Sequence, residues 1–152
     1  MEIIKSPVYF DTNIFIYAID GHEEYKDLLQ QIFEHIIQNK VLVVTSELTL
    51  AECLVKPLKD DNQEAVEQFK NHLKSSEFLK IKNVSRNILI HSADLRNTLN
   101  LKLPDAIHMA TAIDQSCKTF ISNDRKLKAP GKKGTLPFDL YIAGDFIERS
   151  LA

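Results

Sequence analysis

Short apolar runs alternate along this chain with longer segments whose apolar residues recur every three to four positions. A continuous β-branched run is typical of a strand buried on both faces, and the longer period is typical of an amphipathic helix. Strands separated by helices predict an α/β fold with a central, mostly parallel sheet of about four to five short strands. The predicted strands are Val8–Phe10, Val41–Val44, Phe78–Ile81, Thr119–Ile121 and Leu140–Ile142.

Helical spacing is clearest between Glu23 and Asn39. The helix after the second strand can be capped by Thr45 or Ser46, and it is predicted to end near Lys56, because a proline disfavours helical geometry in the residue before it. The remaining predicted helices are Thr12–Ile19, Ala65–Leu73, Ile88–Leu99 and a helix from Pro104 to about Ser116, with a terminal helical turn beyond Gly144.

The size of the chain predicts one domain, residues 1–152. It has 152 residues, of which 44% are hydrophobic, enough for one buried core and short for two. Its 19 basic and 21 acidic residues give a net charge of -2, so any binding of nucleic acid must depend on local clusters of charge.

Cysteine usage and the N-terminal segment bear on location. Cys53 and Cys117 lack C-x-x-C spacing, so we expect two reduced, buried thiols. The first ten residues, MEIIKSPVYF, do not have a basic segment followed by a long apolar stretch, and no run approaches the roughly 20 apolar residues of a membrane span. We therefore expect a cytoplasmic protein.

Four acidic residues stand where such a fold would bring them together. Asp11 and Asp124 come directly after predicted strands, Glu52 lies in the helix after the second strand, and Asp105 is the second residue of the helix that Pro104 begins. Ligands of open α/β sheets bind beyond the carboxyl ends of the strands. Four separate segments can therefore each supply one carboxylate.

Each of these acids also has an ordinary structural interpretation. Asp11 can cap the helix that follows it, Asp105 can interact with a helix dipole, and Asp124 can be a turn residue. Glu52 precedes Lys56 by four residues, the favourable order for a weak surface ion pair. Taken one at a time, these positions are not specific for a site.

Four acidic segments follow one another in the order YFDTNIFIY, TLAECLVKPL, KLPDAIHMATA and FISNDRKL. Together they resemble the motifs of PIN-domain nucleases, especially the VapC-type toxins, over nearly the whole chain. The resemblance implies that the catalytic and metal-binding residues are Asp11, Glu52, Asp105 and Asp124. It also implies hydrogen-bonding support for these carboxylates from Asn13 and Ser122, where serine replaces the usual threonine, and less strongly from Asn123.

The chemistry of these residues favours Mg²⁺ or Mn²⁺. Both cations prefer carboxylate and water oxygens, whereas zinc more often takes cysteine and histidine. Crowded carboxylates raise one another's pKa, so a divalent ion is needed to keep the cluster ionised. The resemblance implies that water attacks the RNA phosphodiester and leaves a 5′-phosphate and a 3′-hydroxyl.

Other polar residues lie beside the acids. His108 follows Asp105 by three residues, and we interpret it as a structural histidine. The segment from Arg125 to Thr135 is predicted to be a loop, because it contains a proline and two glycines. It is either a solvated loop or a phosphate-binding one, without the interleaved aromatics that stack on bases. Its basic residues are Arg125, Lys126, Lys128, Lys132 and Lys133.

The resemblance to VapC-type toxins implies an RNA substrate, a cognate antitoxin protein and a homodimer. Two other functions stay open: a catalytically silent PIN module that binds RNA or a protein, and a free-standing RNA-processing or DNA nuclease. A phosphatase is disfavoured, because the D-T-N at residues 11–13 lacks the second aspartate of a D-x-D pattern.

Overall fold

The computed structural model describes residues 4–21, 23–131 and 136–145. Five strands form one sheet in the order β3-β2-β1-β4-β5, and every neighbouring pair is parallel. The α/β fold is therefore confirmed. The strands are β1 (Val8–Phe10), β2 (Val43–Ser46), β3 (Leu79–Lys82), β4 (Thr119–Ser122) and β5 (Asp139–Ile142).

The central strand β1 is the point at which the strand order reverses. The chain runs outward from β1 through β2 to β3, and it then returns to the other side of β1 to form β4 and β5. A crevice opens beyond the carboxyl ends of the two strands at such a switch point, and ligands of parallel sheets bind there. Asp11 follows β1 directly, and Asn123 and Asp124 follow β4.

Helices cover both faces of the sheet. Tyr9 belongs to the core cluster that contains Phe120 of β4, whereas the next residue, Phe10, belongs to the opposite cluster. The helices are α1 (Thr12–Asp20), α2 (Lys26–Gln38), α3 (Glu47–Lys59), α4 (Gln63–His72), α5 (Arg86–Leu99), α6 (Leu103–Asp114) and α7 (Lys128–Gly131), with 3-10 turns at Glu23–Tyr25 and Arg125–Leu127. Within the described ranges, no helix has both the length and the apolar character needed to cross a membrane.

Helix α3 does not end before its proline. It continues to Lys59 with Pro57 inside it, so the predicted end near Lys56 is wrong. Pro57 is buried, and the packing of its ring offsets the hydrogen bond that it cannot donate one turn back. The helix end is closed after the proline, where the Asn62 amide donates to the Pro57 carbonyl at 2.9 Å.

Other boundaries also differ from the predictions. Strand β2 begins two residues later than expected and ends at Ser46, whose side chain then caps α3 by accepting from the Leu48 amide at 3.0 Å. The segment after Asp124 is a 3-10 turn followed by α7, although a loop was predicted there. Leu127 and Pro130 are buried in this segment, and their burial stabilises the helical turns.

The ends of α6 and of the chain agree in part with the predictions. Pro104 lies in the first turn of α6, as predicted, although the helix ends two residues early at Asp114. Residues 143–145 are helical, and the rest of the predicted terminal turn lies outside the described residues.

Cys53 and Cys117 are buried free thiols, as expected, and burial raises the pKa of each to about 12.

Candidate active site

Asp11 lies at the switch point and is almost fully buried, with 5% of its surface exposed. Its amide donates to the Ile121 carbonyl of β4 at 3.0 Å. The Oδ1 atom accepts from the Thr12 amide at 2.8 Å and caps α1, while Oδ2 accepts from Ser122 Oγ at 2.6 Å. The capping interpretation is thus correct, and the same geometry also holds the carboxylate firmly between β1 and β4.

Three polar residues connect the ends of the strands around Asp11. Asn13 Oδ1 accepts from the Asn123 amide at 2.9 Å, and Asn13 Nδ2 donates to Ser122 Oγ at 3.3 Å. Ser122 Oγ in turn accepts from the Asp124 amide at 3.0 Å, and Asn123 Oδ1 accepts from the Gly144 amide at 2.9 Å. These contacts fix the backbone that carries Asp124, and the supporting role of the three residues toward a metal ion stays a prediction.

Glu52 projects from α3 toward α1 and α6. Its Oε1 atom accepts from Thr12 Oγ1 at 2.8 Å and from His108 Nε2 at 2.6 Å. Burial alone would raise the pKa of this carboxyl, but the hydrogen bond and the charge of His108 outweigh burial and lower it. The described residues contain no ion pair between Glu52 and Lys56, so the surface-pair interpretation does not apply.

His108 is a buried histidine in direct contact with one of the four predicted acids, a contact that the sequence did not predict. Only 1% of it is exposed, and both ring nitrogens are bonded, Nδ1 to Tyr9 Oη at 2.6 Å and Nε2 to Glu52. Burial lowers the pKa of the ring, yet the Glu52 hydrogen bond and the charge of Asp11 raise it overall. The one sequence signal was its spacing of three residues from Asp105, which places both on one face of α6.

Asp105 occupies the first turn of α6 and is half-buried. Its pKa rises to about 6 because of burial first and then the negative charges of Asp11, Asp124 and Glu52, with His108 acting in the opposite direction. Among the residues that the structure describes, none donates a hydrogen bond to its carboxylate. The structure therefore brings all four predicted acids close enough to interact electrostatically.

Asp124 has a structural role of its own. Its Oδ1 atom accepts from the Lys126 amide at 3.0 Å and caps the 3-10 turn at Arg125–Leu127. The turn interpretation is therefore correct for this residue. Asp124 also contributes negative charge to the environment of Asp105.

The set of donors suits Mg²⁺ or Mn²⁺, because it consists of carboxylate oxygens and includes the crowded carboxylate of Asp105, which has no hydrogen-bond donor in the described part of the chain. In the described ranges, no three His, Cys, Asp or Glu side chains already form a group that could hold a metal ion. Mg²⁺ does not require a closed protein cage, since it usually keeps several waters and binds one or two carboxylates together with substrate phosphates.

The predicted phosphate-binding residues are partly engaged in ion pairs. Arg125 Nη1 and Lys128 Nζ each lie 2.9 Å from one carboxylate oxygen of Asp145, just after β5. Lys126 is exposed to solvent. Lys132 and Lys133 lie outside the described residues.

Comparisons with known proteins identify a family and a fold. A family model described as the PIN domain matches residues 8–133. The structure resembles VapBC2 from Rickettsia felis, bound to a DNA fragment from its promoter, with a TM-score of 0.67 and 22% identity over 89% of this chain and 97% of that one. A toxin–antitoxin complex from Klebsiella pneumoniae matches with a TM-score of 0.60 and 26% identity over 87% and 98% of the two chains.

A third similar structure is Mycobacterium tuberculosis VapC20, described as a toxin that cleaves the sarcin–ricin loop. It matches with a TM-score of 0.67 and 13% identity over 82% of this chain and 95% of that one. No curated protein matches the chain in sequence.

Proposed function

Because this chain belongs to the PIN-domain family, we propose that it is a Mg²⁺- or Mn²⁺-dependent endoribonuclease and the toxin of a toxin–antitoxin pair. One observation carries the proposal. Ser122 holds Asp11 just beyond the ends of β1 and β4, and the negative charges of Asp11, Asp124 and Glu52 help to raise the pKa of Asp105 to about 6. Without a cation, the repulsion between these carboxylates destabilises their ionised forms. Such a cluster suits a site that binds metal ions and, through them, a phosphate group.

A divalent ion held by the carboxylates of Asp11, Glu52, Asp105 and Asp124 would supply the positive charge that keeps them ionised, and it would activate water and stabilise charge on the leaving oxygen. The residues of the chain do the rest. Ser122 and the Thr12 amide hold the carboxylate of Asp11 between β1 and β4, and the first turn of α6 presents Asp105. A water oxygen bonds to phosphorus while the bond to O3′ breaks. One water proton passes to O3′, which leaves a 3′-hydroxyl and a 5′-phosphate.

RNA as the substrate and an antitoxin as the partner are parts of the same proposal. Support for RNA comes from the description of the Mycobacterium tuberculosis protein as a toxin that cleaves the sarcin–ricin loop. Support for an antitoxin comes from the Klebsiella pneumoniae structure, which is described as a toxin–antitoxin complex. Association of two copies into a homodimer completes the proposal.

The decisive experiment measures cleavage of an end-labelled RNA by protein freed of any copurified partner. We expect cleavage in Mg²⁺ or Mn²⁺, loss of cleavage in excess EDTA, and products with 5′-phosphate ends. The Asp105→Asn variant, purified identically, is the control for contaminating nuclease. Cleavage by the parent that persists in excess EDTA, above any cleavage by this variant, would contradict the metal mechanism.

The same assay separates the alternative functions. Faster cleavage of a single-stranded DNA of the same sequence would replace the ribonuclease proposal with a DNA nuclease. Binding of RNA without cleavage in either metal would favour the catalytically silent module. Size-exclusion chromatography with light scattering tests the homodimer.

A further inference from the structure

A buried chain of hydrogen bonds links the core of the protein to one carboxylate of the pocket. Tyr9 is fully buried in β1, its hydroxyl lies 2.6 Å from Nδ1 of His108, and Nε2 of His108 lies 2.6 Å from Oε1 of Glu52. Neither Tyr9 nor His108 belongs to the acidic cluster that the proposed reaction uses. The contacts nevertheless converge on one atom of that cluster.

The direction of these hydrogen bonds follows from the chemistry of the groups. A tyrosine hydroxyl, whose ordinary pKa is about 10, keeps its proton at neutral pH. When this hydroxyl donates to Nδ1, the proton of the neutral ring resides on Nε2 and is donated to Glu52. A charged ring also carries an Nε2 proton, so Glu52 receives the same hydrogen bond in both states.

Both donors to Glu52 bind the same oxygen. Thr12 Oγ1 and His108 Nε2 each donate to Oε1, and no described residue donates to Oε2. A glutamate side chain has several rotatable bonds, and two convergent donors from different helices restrict it to one orientation. The second oxygen is thereby left for another ligand.

We propose that His108 is a positioning residue, which holds Glu52 through Oε1 and leaves Oε2 available to a divalent ion. Helix α6 then positions two of the four acids, because it carries Asp105 itself and holds Glu52 through the hydrogen bond of His108. Tyr9 sets the orientation of the ring, and it lies on β1, two residues before Asp11. The part of this inference that concerns metal rests on the proposed function, whereas the restraint on Glu52 does not.

Two variants of His108 form a matched pair for the test. A glutamine amide nitrogen reaches about as far from the backbone as Nε2, so His108→Gln keeps a donor for Glu52. An asparagine amide reaches only as far as Nδ1, so His108→Asn loses that donor. Both variants lose the aromatic ring, and we expect similar falls in melting temperature for the two.

The readouts are Mn²⁺ affinity, measured by calorimetry, and the mobility of the Glu52 side chain, measured by NMR relaxation of its methylene groups. We expect His108→Asn to weaken Mn²⁺ binding about tenfold or more, as loss of a hydrogen-bond partner of a ligand does, and to increase the mobility of Glu52. We expect His108→Gln to keep a Mn²⁺ affinity and a Glu52 mobility close to those of the parent. Parental values in His108→Asn, or equal losses in the two variants, would overturn the proposal.

Tyr9→Phe tests the same inference if the histidine variants fail to fold, because it keeps the ring stacked on Phe120 and removes only the hydroxyl. We expect ¹⁵N NMR of His108 to show that the proton is no longer confined to Nε2, and Glu52 to become more mobile. An unchanged tautomer and an unchanged Glu52 would overturn the role of Tyr9. If the parent does not bind Mn²⁺, the proposed function fails, and the mobility of Glu52 still decides whether His108 positions it.

Discussion

Ser122 Oγ donates a hydrogen bond of 2.6 Å to Oδ2 of Asp11, and this contact joins the carboxyl ends of the neighbouring strands β4 and β1. The same hydroxyl accepts from the amide of Asp124 at 3.0 Å. One side chain therefore orients a carboxylate and also fixes the backbone of a second acidic residue. Partners of this kind commonly set the affinity of a metal site.

Ser122→Ala removes the hydrogen bonds of Oγ with Asp11, Asp124 and Asn13, and it leaves an oxygen of the buried Asp11 without its donor. We expect the free energy of unfolding to fall by about 1–3 kcal/mol and Mn²⁺ affinity to fall about 10- to 100-fold. Chemical denaturation and calorimetry measure the two quantities. Ser122→Thr is the control, because it keeps the hydroxyl. Parental Mn²⁺ affinity in the alanine variant would show that the hydrogen bond is purely structural.

Asp105→Asn removes the charge of the carboxylate that lacks a hydrogen-bond partner among the described residues. We expect RNA cleavage to fall on the order of a hundredfold or more, since the ion loses an anchor. Without metal, the variant lacks the repulsion between Asp105 and the neighbouring acids, so we expect its melting temperature to equal or exceed that of the parent. We expect added Mn²⁺ to raise the melting temperature of the variant less than that of the parent. Asp114→Asn, on the same helix, is the control. Parental activity in Asp105→Asn would remove Asp105 from the site.

The stability of the metal-free protein should depend on pH through Asp105. The folded pKa is about 6, above the ordinary value of 3.8, so the folded state binds more protons than the unfolded state between these values. Stability from this group is therefore present below pH 3.8 and is lost as pH rises through 6. Chemical denaturation in EDTA at several pH values in this range gives the free energy of unfolding of the parent and of Asp105→Asn. The difference between the two free energies measures the contribution of Asp105. A difference that is constant with pH would contradict the expected pKa shift.

Charge reversal of Lys132 and Lys133 tests the basic segment. We expect Lys132→Glu with Lys133→Glu to weaken RNA binding and to flatten its dependence on salt, with a slope smaller by about 0.7 for each single-strand phosphate that is no longer neutralised. Fluorescence anisotropy at several salt concentrations measures both effects. Lys70→Glu with Lys74→Glu gives the same change in charge near α4, which supplies none of the four acids. An unchanged slope would assign the segment to plain solvation.

Asp145→Asn removes the carboxylate that binds Arg125 and Lys128. A carboxylate and a phosphate compete for the same cations, so we expect this variant to bind RNA more tightly and with a steeper dependence on salt. The anisotropy assay measures this directly. Weaker binding would show that Asp145 holds the two cations in position for RNA.

Local patterns predicted the elements of the fold well, because helical periodicity and β-branched runs are properties of neighbouring residues. The local patterns gave the wrong structure at Pro57, which lies inside a helix, and at the segment after Asp124, which is helical. In both places burial of a side chain outweighs the tendency of proline to end a helix. Burial depends on the rest of the molecule, and no local pattern reports it.

In the sequence, Asp11 and Asp124 come directly after predicted strands, and the carboxyl ends of parallel strands meet at one edge of the sheet. Asp11 and Asp124 follow strands that prove to be adjacent, β1 and β4, and the raised pKa of Asp105 reflects their charges. The catalytic and metal-binding roles of these residues stay predictions.

The contacts within the pocket were decided by tertiary structure alone. Tyr9 and His108 are 99 residues apart, and Glu52 and His108 are 56 apart, yet each pair is joined by a hydrogen bond of 2.6 Å. In the sequence, Glu52 pairs plausibly with Lys56, and His108 resembles an ordinary core residue. Only the packing of α3 and α6 around β1 brings their side chains together, because a hydrogen bond requires atoms within about 3 Å, a distance that residue type and spacing cannot specify.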